Sequence, residues 1–411
     1  MTDTSLYDAI VVGGGPAGAT AATDLAANGL RVAMIDRGGR IKPCGGAIPP
    51  KLVEQFSVPQ NQLVARITSA RMVSPARSHV DIPIEGGYVG MVDREAFDEW
   101  LRERAVSAGV DRLTGAFLSL RQENDGTATV VFNERPDAAD GSETVVSASE
   151  IRGRAVIGAD GALSKVARQC IPGAEKGKYV FAYHEIVRAP TGQSTTANAM
   201  APSFDGQRCD VIYNGATSPD FYCWIFPHGS SVSVGTGSAH KGFSLRSAVA
   251  DIRRAHGLNG VETMRREGAP IPLKVLPRWD NGRNVVLAGD AAGTVAPASG
   301  EGIYYAMLSG RLVAGAVCDF LRTGDARALA SARSAFMRLH VRIFWILGMM
   351  QYFWYMSDRR RERFVSICRD RDVQRLTFDA YMHKRLVRGR PLAHVRIFFK
   401  DLAHLLGLAK A

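Results

Sequence analysis

The chain has 411 residues, enough for about two to three domains of ordinary size, and its hydrophobic share of 46% is that of a globular protein. Six cysteines, at 44, 170, 209, 223, 318 and 368, contain no CxxC pair, which argues against a disulfide framework or a zinc ribbon and for a reducing cytosol. The formal charge of +11 raises nucleic acid or anionic lipid as partners, but residues 331–411 carry 17 Lys/Arg against 6 Asp/Glu, the whole of the excess; the rest is neutral, and no nucleic-acid partner is expected.

The opening MTDTSLYDAIVV is acidic and runs straight into an apolar stretch, unlike a signal peptide with its basic start and cleavage site, so a cytoplasmic protein is expected. Tyr7 to Val12 reads as a strand, the alanine-rich Pro16 to Asn28 as a helix and Arg31 to Asp36 as a second strand, the crossover unit of a parallel sheet. Two later runs, Arg154 to Asp160 and Asn284 to Asp290, read as buried strands that deliver an aspartate at the carboxyl edge of that sheet, where ligands bind in such folds. Between Lys178 and Val275 the texture turns to short β segments with scattered Gly and Pro, and Gly302 to Leu321 and Ala326 to Met356 are helical in pattern. The expected organisation is a dinucleotide-binding region over 1–177, interrupted near 66–92 by part of a second domain. A mostly antiparallel β domain follows over 178–275, then a return to the first domain over 276–330 and a basic helical arm over 331–411. The one polar tract of note is Gly192 to Ala199.

The turn between first strand and first helix reads Gly13-Gly14-Gly15-Pro16-Ala17-Gly18, a GxGxxG, and Asp36 ends the next strand. Gly13 allows a tight turn, Gly15 lets a pyrophosphate reach the backbone, and Gly18 lets the helix pack closely. The helix N-terminus offers free N–H groups and the positive end of its dipole to that pyrophosphate. Asp36 would accept hydrogen bonds from ribose hydroxyls. A lone GxGxxG is also a glycine turn of any α/β protein; strand, helix and terminal acid in register favour a dinucleotide.

Two later segments, Gly158-Ala159-Asp160-Gly161 and Gly289-Asp290-Ala291-Ala292-Gly293, resemble the further nucleotide-contact motifs of flavoproteins of the para-hydroxybenzoate hydroxylase type. The resemblance implies FAD, held in an α/β (α+β overall) fold by a Rossmann-like domain beside a mostly antiparallel β substrate domain and a C-terminal helical arm. It places Asp160 and Gly161 on the cofactor and implies a ribityl hydrogen bond from Asp290 beside Gly293. It also puts the backbone of the turn from Gly300 to Gly302 near the flavin's pyrimidine edge and the basic side chain of Arg94 at the FAD. Singly, each of these aspartates could equally cap a helix or close a turn.

Lys42-Pro43-Cys44-Gly45-Gly46 and Pro219-Asp220-Phe221-Tyr222-Cys223-Trp224-Ile225-Phe226-Pro227 narrow the resemblance to the geranylgeranyl reductases, whose PxxYxWxFP pattern the second segment fits. The C-terminal HVRIFFKDLAHLLGLA is similar to the chlorophyll and bacteriochlorophyll branch of that family. The resemblance implies that three of the four double bonds of a geranylgeranyl group are saturated to give phytyl, on geranylgeranyl diphosphate or on a geranylgeranylated tetrapyrrole. NADPH is the implied reductant, with reduced ferredoxin left open. Association with the inner, photosynthetic membrane and with pigment-synthesis or assembly partners is implied as well.

The residue chemistry agrees. Strand alternation puts Tyr222, Trp224 and Phe226 on one face, an apolar wall ending at Pro227 that suits a polyene, although such aromatics also fill sheet cores. An isolated trisubstituted alkene needs a hydride and a proton on adjacent carbons, with water excluded. Cys44 is the candidate proton donor, since thiols are mostly protonated at neutral pH, and Tyr222 is the second candidate. Cys44 could instead be a small residue that lets the loop pack, with Gly45 and Gly46 bringing backbone to the flavin. His184-Glu185-Ile186-Val187-Arg188 begins like HExxH but has arginine at the second histidine, so no metal is expected. Two rivals remain: a flavin monooxygenase of the same fold, and a prenyl-lipid carrier or pigment-assembly factor without redox activity.

In the basic arm, Ile343 to Ser357 is 15 uncharged residues, about 22 Å as a helix and short of a bilayer core of about 30 Å. Followed by Arg359, Arg360 and Arg361, it suggests an interfacial anchor on an anionic leaflet; an ordinary core helix is the alternative.

Overall fold

A computed structural model of the chain describes residues 6–39, 41–134, 147–190 and 204–384. The polar tract Gly192 to Ala199 and the C-terminal HVRIFFKDLAHLLGLA lie outside the described residues. The chain forms two compact units: Met1–Lys42, Glu95–Tyr179 and Pro270–Trp345 make the first, and Pro43–Arg94, Val180–Ala269 and Ile346–Ala411 the second.

In the first unit, strands Tyr7–Val12, Val32–Asp36, Asp111–Gln122, Ala148–Gly158 and Val285–Leu287 run parallel, with Tyr7–Val12 between Val32–Asp36 and Ala148–Gly158. Ala9 to Val12 are at most 2% exposed, which is why these strands read as unbroken apolar runs rather than as alternating ones. The two expected buried strands are present, paired with each other, and lead into Asp160 and Asp290. Asp111–Gln122 and Ala148–Gly158 are long, and their outer halves pair antiparallel with Ala128–Glu134. The first helix, Pro16–Ala27, packs on the helix Ile303–Thr323 so closely that a β-carbon on Gly310 would lie 2.2 Å from the carbonyl oxygen of Ala17.

The second unit holds a seven-stranded sheet in the order Thr263–Pro272, Tyr179–Arg188, Ser231–Ser238, Cys223–His228, Arg208–Ile212, Ser69–Val73, His79–Pro83. Ser231–Ser238 pairs antiparallel with Tyr179–Arg188 and with Cys223–His228, as do Cys223–His228 with Arg208–Ile212 and Ser69–Val73 with His79–Pro83, while Arg208–Ile212 and Ser69–Val73 run parallel, so the expected mostly antiparallel β region is present. One face carries Cys223, Ile225, Val232 and Val234, which pack with Val249 and Ile252 of the helix Leu245–Ala255 into a closed core. A small sheet of Ala47–Ile48, Val89–Met91 and Ala65–Ile67 stands beside it in the chain.

The arm is helical over Ala330–Trp354, Asp358–Ile367 and Arg371–His383, and no helix among the described residues is long and apolar enough to cross a membrane. Ile343 to Ser357 has a buried side and an exposed one. Ile343, Phe344, Trp354 and Tyr355 are buried, while Trp345, Met349, Tyr352 and Met356 are exposed at helical spacing. The structure corrects the expected basic patch at one position. Arg361 is buried, 2% exposed, and its guanidinium donates to Asp358 and to the carbonyl oxygens of Tyr355 and Pro219. A buried guanidinium must spend its donors on protein acceptors because water is absent there, so Arg361 fastens the arm to the loop before Tyr222 and does not face lipid. Tyr213 sits beside it among Tyr222, Tyr355 and Phe364, ring centroids 5.2–6.3 Å apart.

Candidate active site

In the first unit the glycine turn is set by backbone clearance. Gly13 has φ +109°, and a β-carbon there would meet the carbonyl oxygen of Ala159 at 2.3 Å. On Gly18 it would meet the carbonyl oxygen of Gly13 at 1.8 Å, whereas nothing lies within 4 Å of the corresponding point on Gly15. No side chain caps the helix at Gly15. The first turn therefore presents its donors beside open space, the arrangement that suits a pyrophosphate.

Asp36 closes this site. Its carboxylate accepts from the N–H of Gly14 at 2.9 Å and of Gly38 at 3.1 Å, and Arg102 approaches to 3.8 Å. The orientation expected for a ribose acceptor is thus imposed by the backbone. Arg102, 7% exposed, escaped sequence reading. It comes from the helix Arg94–Ser107 and is itself anchored by Glu99 at 2.7 Å. Arg112 and Arg102 hold the Glu99 carboxyl down to about 2, so that anchor stays ionised at every physiological pH. The only sequence signal was an i, i+3 Glu-Arg pair, common on solvated helices.

The two later aspartates differ. Asp160 accepts from the Ser164 hydroxyl and from the N–H groups of Lys165 at 2.7 Å and Val166 at 3.3 Å; it caps the helix Lys165–Cys170, following Gly161 in αL-type geometry with φ +89°. Asp290 lies in the turn Gly289–Ala292, its side chain 9% exposed, and its carboxylate binds the ammonium of Lys42. Lys42, read only as part of the cysteine loop's motif, is therefore joined to the expected ribityl contact. Gly293 ends that turn, a β-carbon there meeting the carbonyl oxygen of Lys274 at 2.2 Å, and Gly300 and Gly302 lead into the helix Ile303–Thr323, again without a side-chain cap. Arg94, 6% exposed, opens its helix as the last residue of the second unit.

In the second unit the cysteine loop and the aromatic motif meet. A β-carbon on Gly45 would touch the Phe226 ring at 3.0 Å, and Gly46, φ +70°, would meet His228 Nε2 at 2.5 Å and the carbonyl oxygen of Val92 at 2.6 Å. The Gly46 N–H donates to Cys44 Sγ at 3.4 Å. Tyr222, Trp224 and Phe226 form a ladder of rings on one face, centroids 6.1 and 6.3 Å apart, opposite the face that fills the closed core. Phe226 also packs, partly buried, on a second cluster of Ile67, Met91 and Cys209. The Cys44 loop, through Gly45, and Tyr222 therefore stand at opposite ends of the ladder, and Pro227 follows within the same strand as Trp224 and Phe226.

His228, which sequence reading passed over, seats the loop. Its Nδ1 lies 3.0 Å from the carbonyl oxygen of Phe226, and its ring also contacts the Gly45 backbone. Burial lowers its pKa to about 4, against the opposing pull of the Phe226 carbonyl and of Asp93. It is a neutral ring at physiological pH.

With this geometry in view, residues 11–56 match the NAD(P)-binding Rossmann-like domain family and residues 53–339 the FAD binding domain family. The second span contains the Asp160, Asp290 and Gly300 segments, and the cofactor of that family is FAD. The chain is 54% identical over 404 residues to a geranylgeranyl diphosphate reductase of Rhodobacter capsulatus, covering 98% of both. It is 38% identical over 407 residues to a chloroplastic geranylgeranyl diphosphate reductase of Arabidopsis thaliana, covering 96% of this chain and 84% of that one. A solved structure, a geranylgeranyl bacteriochlorophyll reductase-like protein of Thermoplasma acidophilum, superposes with a TM-score of 0.79 at 21% identity over 95% of this chain and 99% of that one; at that identity the likeness speaks for the fold.

Two outcomes follow from this geometry. Asp36→Ala should weaken FAD binding about 10- to 100-fold, the scale of losing a charged hydrogen-bond acceptor, as measured by titrating apoprotein with FAD; unchanged affinity would remove Asp36 from the site. The second concerns acid stability. As pH falls below about 6.5 the unfolded chain binds a proton at His228 that the native ring refuses until about 4, so stability is full above 6.5, declines between those values by up to about 3 kcal/mol, and levels below. Chemical denaturation from pH 7.5 to 3.5 should show that slope, and His228→Asn should flatten it.

Proposed function

This chain belongs to the geranylgeranyl reductase family of FAD-dependent flavoproteins, and on that premise we propose that it saturates the geranylgeranyl group of a bacteriochlorophyll- or chlorophyll-type pigment, or of geranylgeranyl diphosphate, to phytyl with NADPH as reductant. It is an FAD-dependent oxidoreductase that reduces geranylgeranyl groups. The observation that carries the proposal furthest is the seating of a thiol-bearing loop on one end of an aromatic ladder.

Each double bond takes up one hydride and one proton. FAD, when bound, would supply the hydride; the bare helix N-terminus after Gly15 would hold its pyrophosphate, and Asp36 and Asp290 would accept from its ribose and ribityl hydroxyls. The protein's own share is the proton and the apolar surroundings. The rings of Tyr222, Trp224 and Phe226 form the wall along which the tail lies and from which water is displaced. Cys44 is the proton donor: the Gly46 N–H at 3.4 Å orients its sulfur and stabilises the thiolate that donation leaves behind, as an N–H does for any developing anion. Tyr222, at the far end of the ladder, is the second candidate.

The substrate tail lives in lipid, and the surface agrees. Trp345, Met349, Tyr352 and Met356 form an exposed apolar stripe along the arm, flanked by exposed Arg338, Arg342 and Arg359. Such a stripe with basic flanks suits peripheral attachment to an anionic leaflet from the cytoplasmic side.

Cys44→Ala should leave reduction of FAD by NADPH unchanged and slow transfer to the tail about 10²- to 10⁴-fold, the range for loss of a general acid. The check is rapid anaerobic mixing of pre-reduced enzyme with substrate, following flavin absorbance and product mass, and wild-type transfer rates would move the role to Tyr222. For the membrane, Met349→Glu with Tyr352→Glu should abolish sedimentation with anionic liposomes. Arg359→Glu alone should weaken it by about 1 kcal/mol in a salt-dependent way. Binding indifferent to both would sink the membrane reading.

A further inference from the structure

Behind the aromatic ladder, within the second unit, lies a chain of polar groups that neither FAD binding nor the proton step uses. The indole N–H of Trp224 donates to Ser233 Oγ at 3.0 Å. The same oxygen lies 2.9 Å from His184 Nδ1, and His184 Nε2 lies 3.0 Å from Glu267. Ser233 is fully buried and His184 is 3% exposed. The contacts form one connected chain: the indole N–H donates to Ser233 Oγ, that oxygen is hydrogen-bonded to His184 Nδ1, and Nε2 is hydrogen-bonded to the Glu267 carboxylate, which Arg265 approaches to 3.4 Å. Along the same edge of the ring there is no slack. A β-carbon on Gly235 would stand 2.2 Å from the indole's Cζ2, so the ring lies directly on the backbone of its neighbouring strand.

Apolar residues at 233 and 184 would fill the same space with no desolvation to offset. Buried polar chains are costly unless complete, and a complete one admits a single geometry. Here the group whose geometry is fixed is the middle ring of the ladder. The alternation that puts Trp224 toward Ser233, Gly235 and His184 is the register of three paired strands: Trp224 pairs with Gly235, which pairs with His184. The start of an HExxH at His184 is thereby accounted for, since both its ring nitrogens are engaged within this chain of bonds.

We propose that Ser233, His184 and Gly235 are positioning residues which hold the indole of Trp224 at one angle and so set the register at which a geranylgeranyl tail lies along the ladder; this rests on the reading of that ladder as the tail's wall. A tail must shift by one isoprene unit between successive reductions, and a wall with one fixed ring orientation accepts each shifted tail in the same way. A ring free to tilt does not, so partly saturated tails leave early.

The test uses full-length, FAD-loaded enzyme with a geranylgeranylated substrate and mass analysis of di-, tetra- and hexahydro products. Ser233→Ala, His184→Leu and Gly235→Ala should each raise KM about tenfold, the scale on which a pocket senses a misplaced methylene, and shift products toward partly reduced tails. FAD content and reduction by NADPH should stay at wild-type levels. His184→Asn, whose amide oxygen stands in for Nδ1, should restore the wild-type pattern. Trp224→Phe removes the N–H and keeps a ring, and it carries the comparison if Ser233→Ala lowers the folded fraction. In that background Ser233→Ala should add less than it does in the wild type, because the indole bond is already gone and only the His184 contact is left to break. Additive effects, or wild-type KM and products in the folded variants beside a wild type that saturates the tail, would overturn the inference alone. A wild type that leaves the tail unreduced would overturn the reading beneath it, and the inference with it.

Discussion

Both units are organised by main chain that comes closer than a β-carbon permits. In the first, Gly18 lies on the carbonyl of Gly13, Gly13 on that of Ala159, and Gly310 on that of Ala17. These contacts draw the first turn, the first helix and the long helix Ile303–Thr323 into one body and leave the helix N-terminus bare for an anion. In the second, Gly45 lies on Phe226, Gly46 on His228 and Gly235 on Trp224. Hydrophobic burial is non-directional and would tolerate many arrangements of these segments. The absence of a side chain at six positions removes nearly all of them, because any added atom would have to displace backbone or a packed ring.

Charge is arranged to serve that clearance. Asp36 is aimed by two N–H groups and steadied by Arg102, which Glu99 holds in turn. Asp290 is met by Lys42 and Asp160 is taken up by a helix end. In the arm, Arg361 gives its donors to Asp358 and to main-chain carbonyls. A charge removed from water keeps its ionised form only where partners are already in place. The same rule explains His228, whose packing against the cysteine loop leaves no room for a proton's hydration and makes the ring neutral.

The chemistry divides along the chain in the same way. In the proposed mechanism the first unit would supply the dinucleotide contacts, mostly through backbone N–H groups and carboxylates, and the second aromatic faces, a thiol and a neutral imidazole. A saturating reduction has this division built in, since a hydride comes from the cofactor and everything else required is apolar shape and one proton. The exposed stripe from Trp345 to Met356 carries apolar character to the surface, as the proposed membrane attachment requires.

What the sequence by itself determined was local. Apolar period and the GxGxxG spacing placed strand, helix and strand with Asp36 at the end, because turn, helix and strand are specified within about thirty residues by contacts between near neighbours. Strand alternation put Tyr222, Trp224 and Phe226 on one face for the same reason. Only the tertiary structure decided which partners each group has. Lys42 reaches Asp290 across 248 positions, and Arg361 reaches Pro219 across 142. Gly45 finds Phe226, and Trp224 finds Ser233 and His184, through strand register. Burial and pairing are properties of the assembled sheets, so an arginine that reads as a surface charge becomes a clamp, and a histidine that reads as half a metal motif becomes the support of an indole.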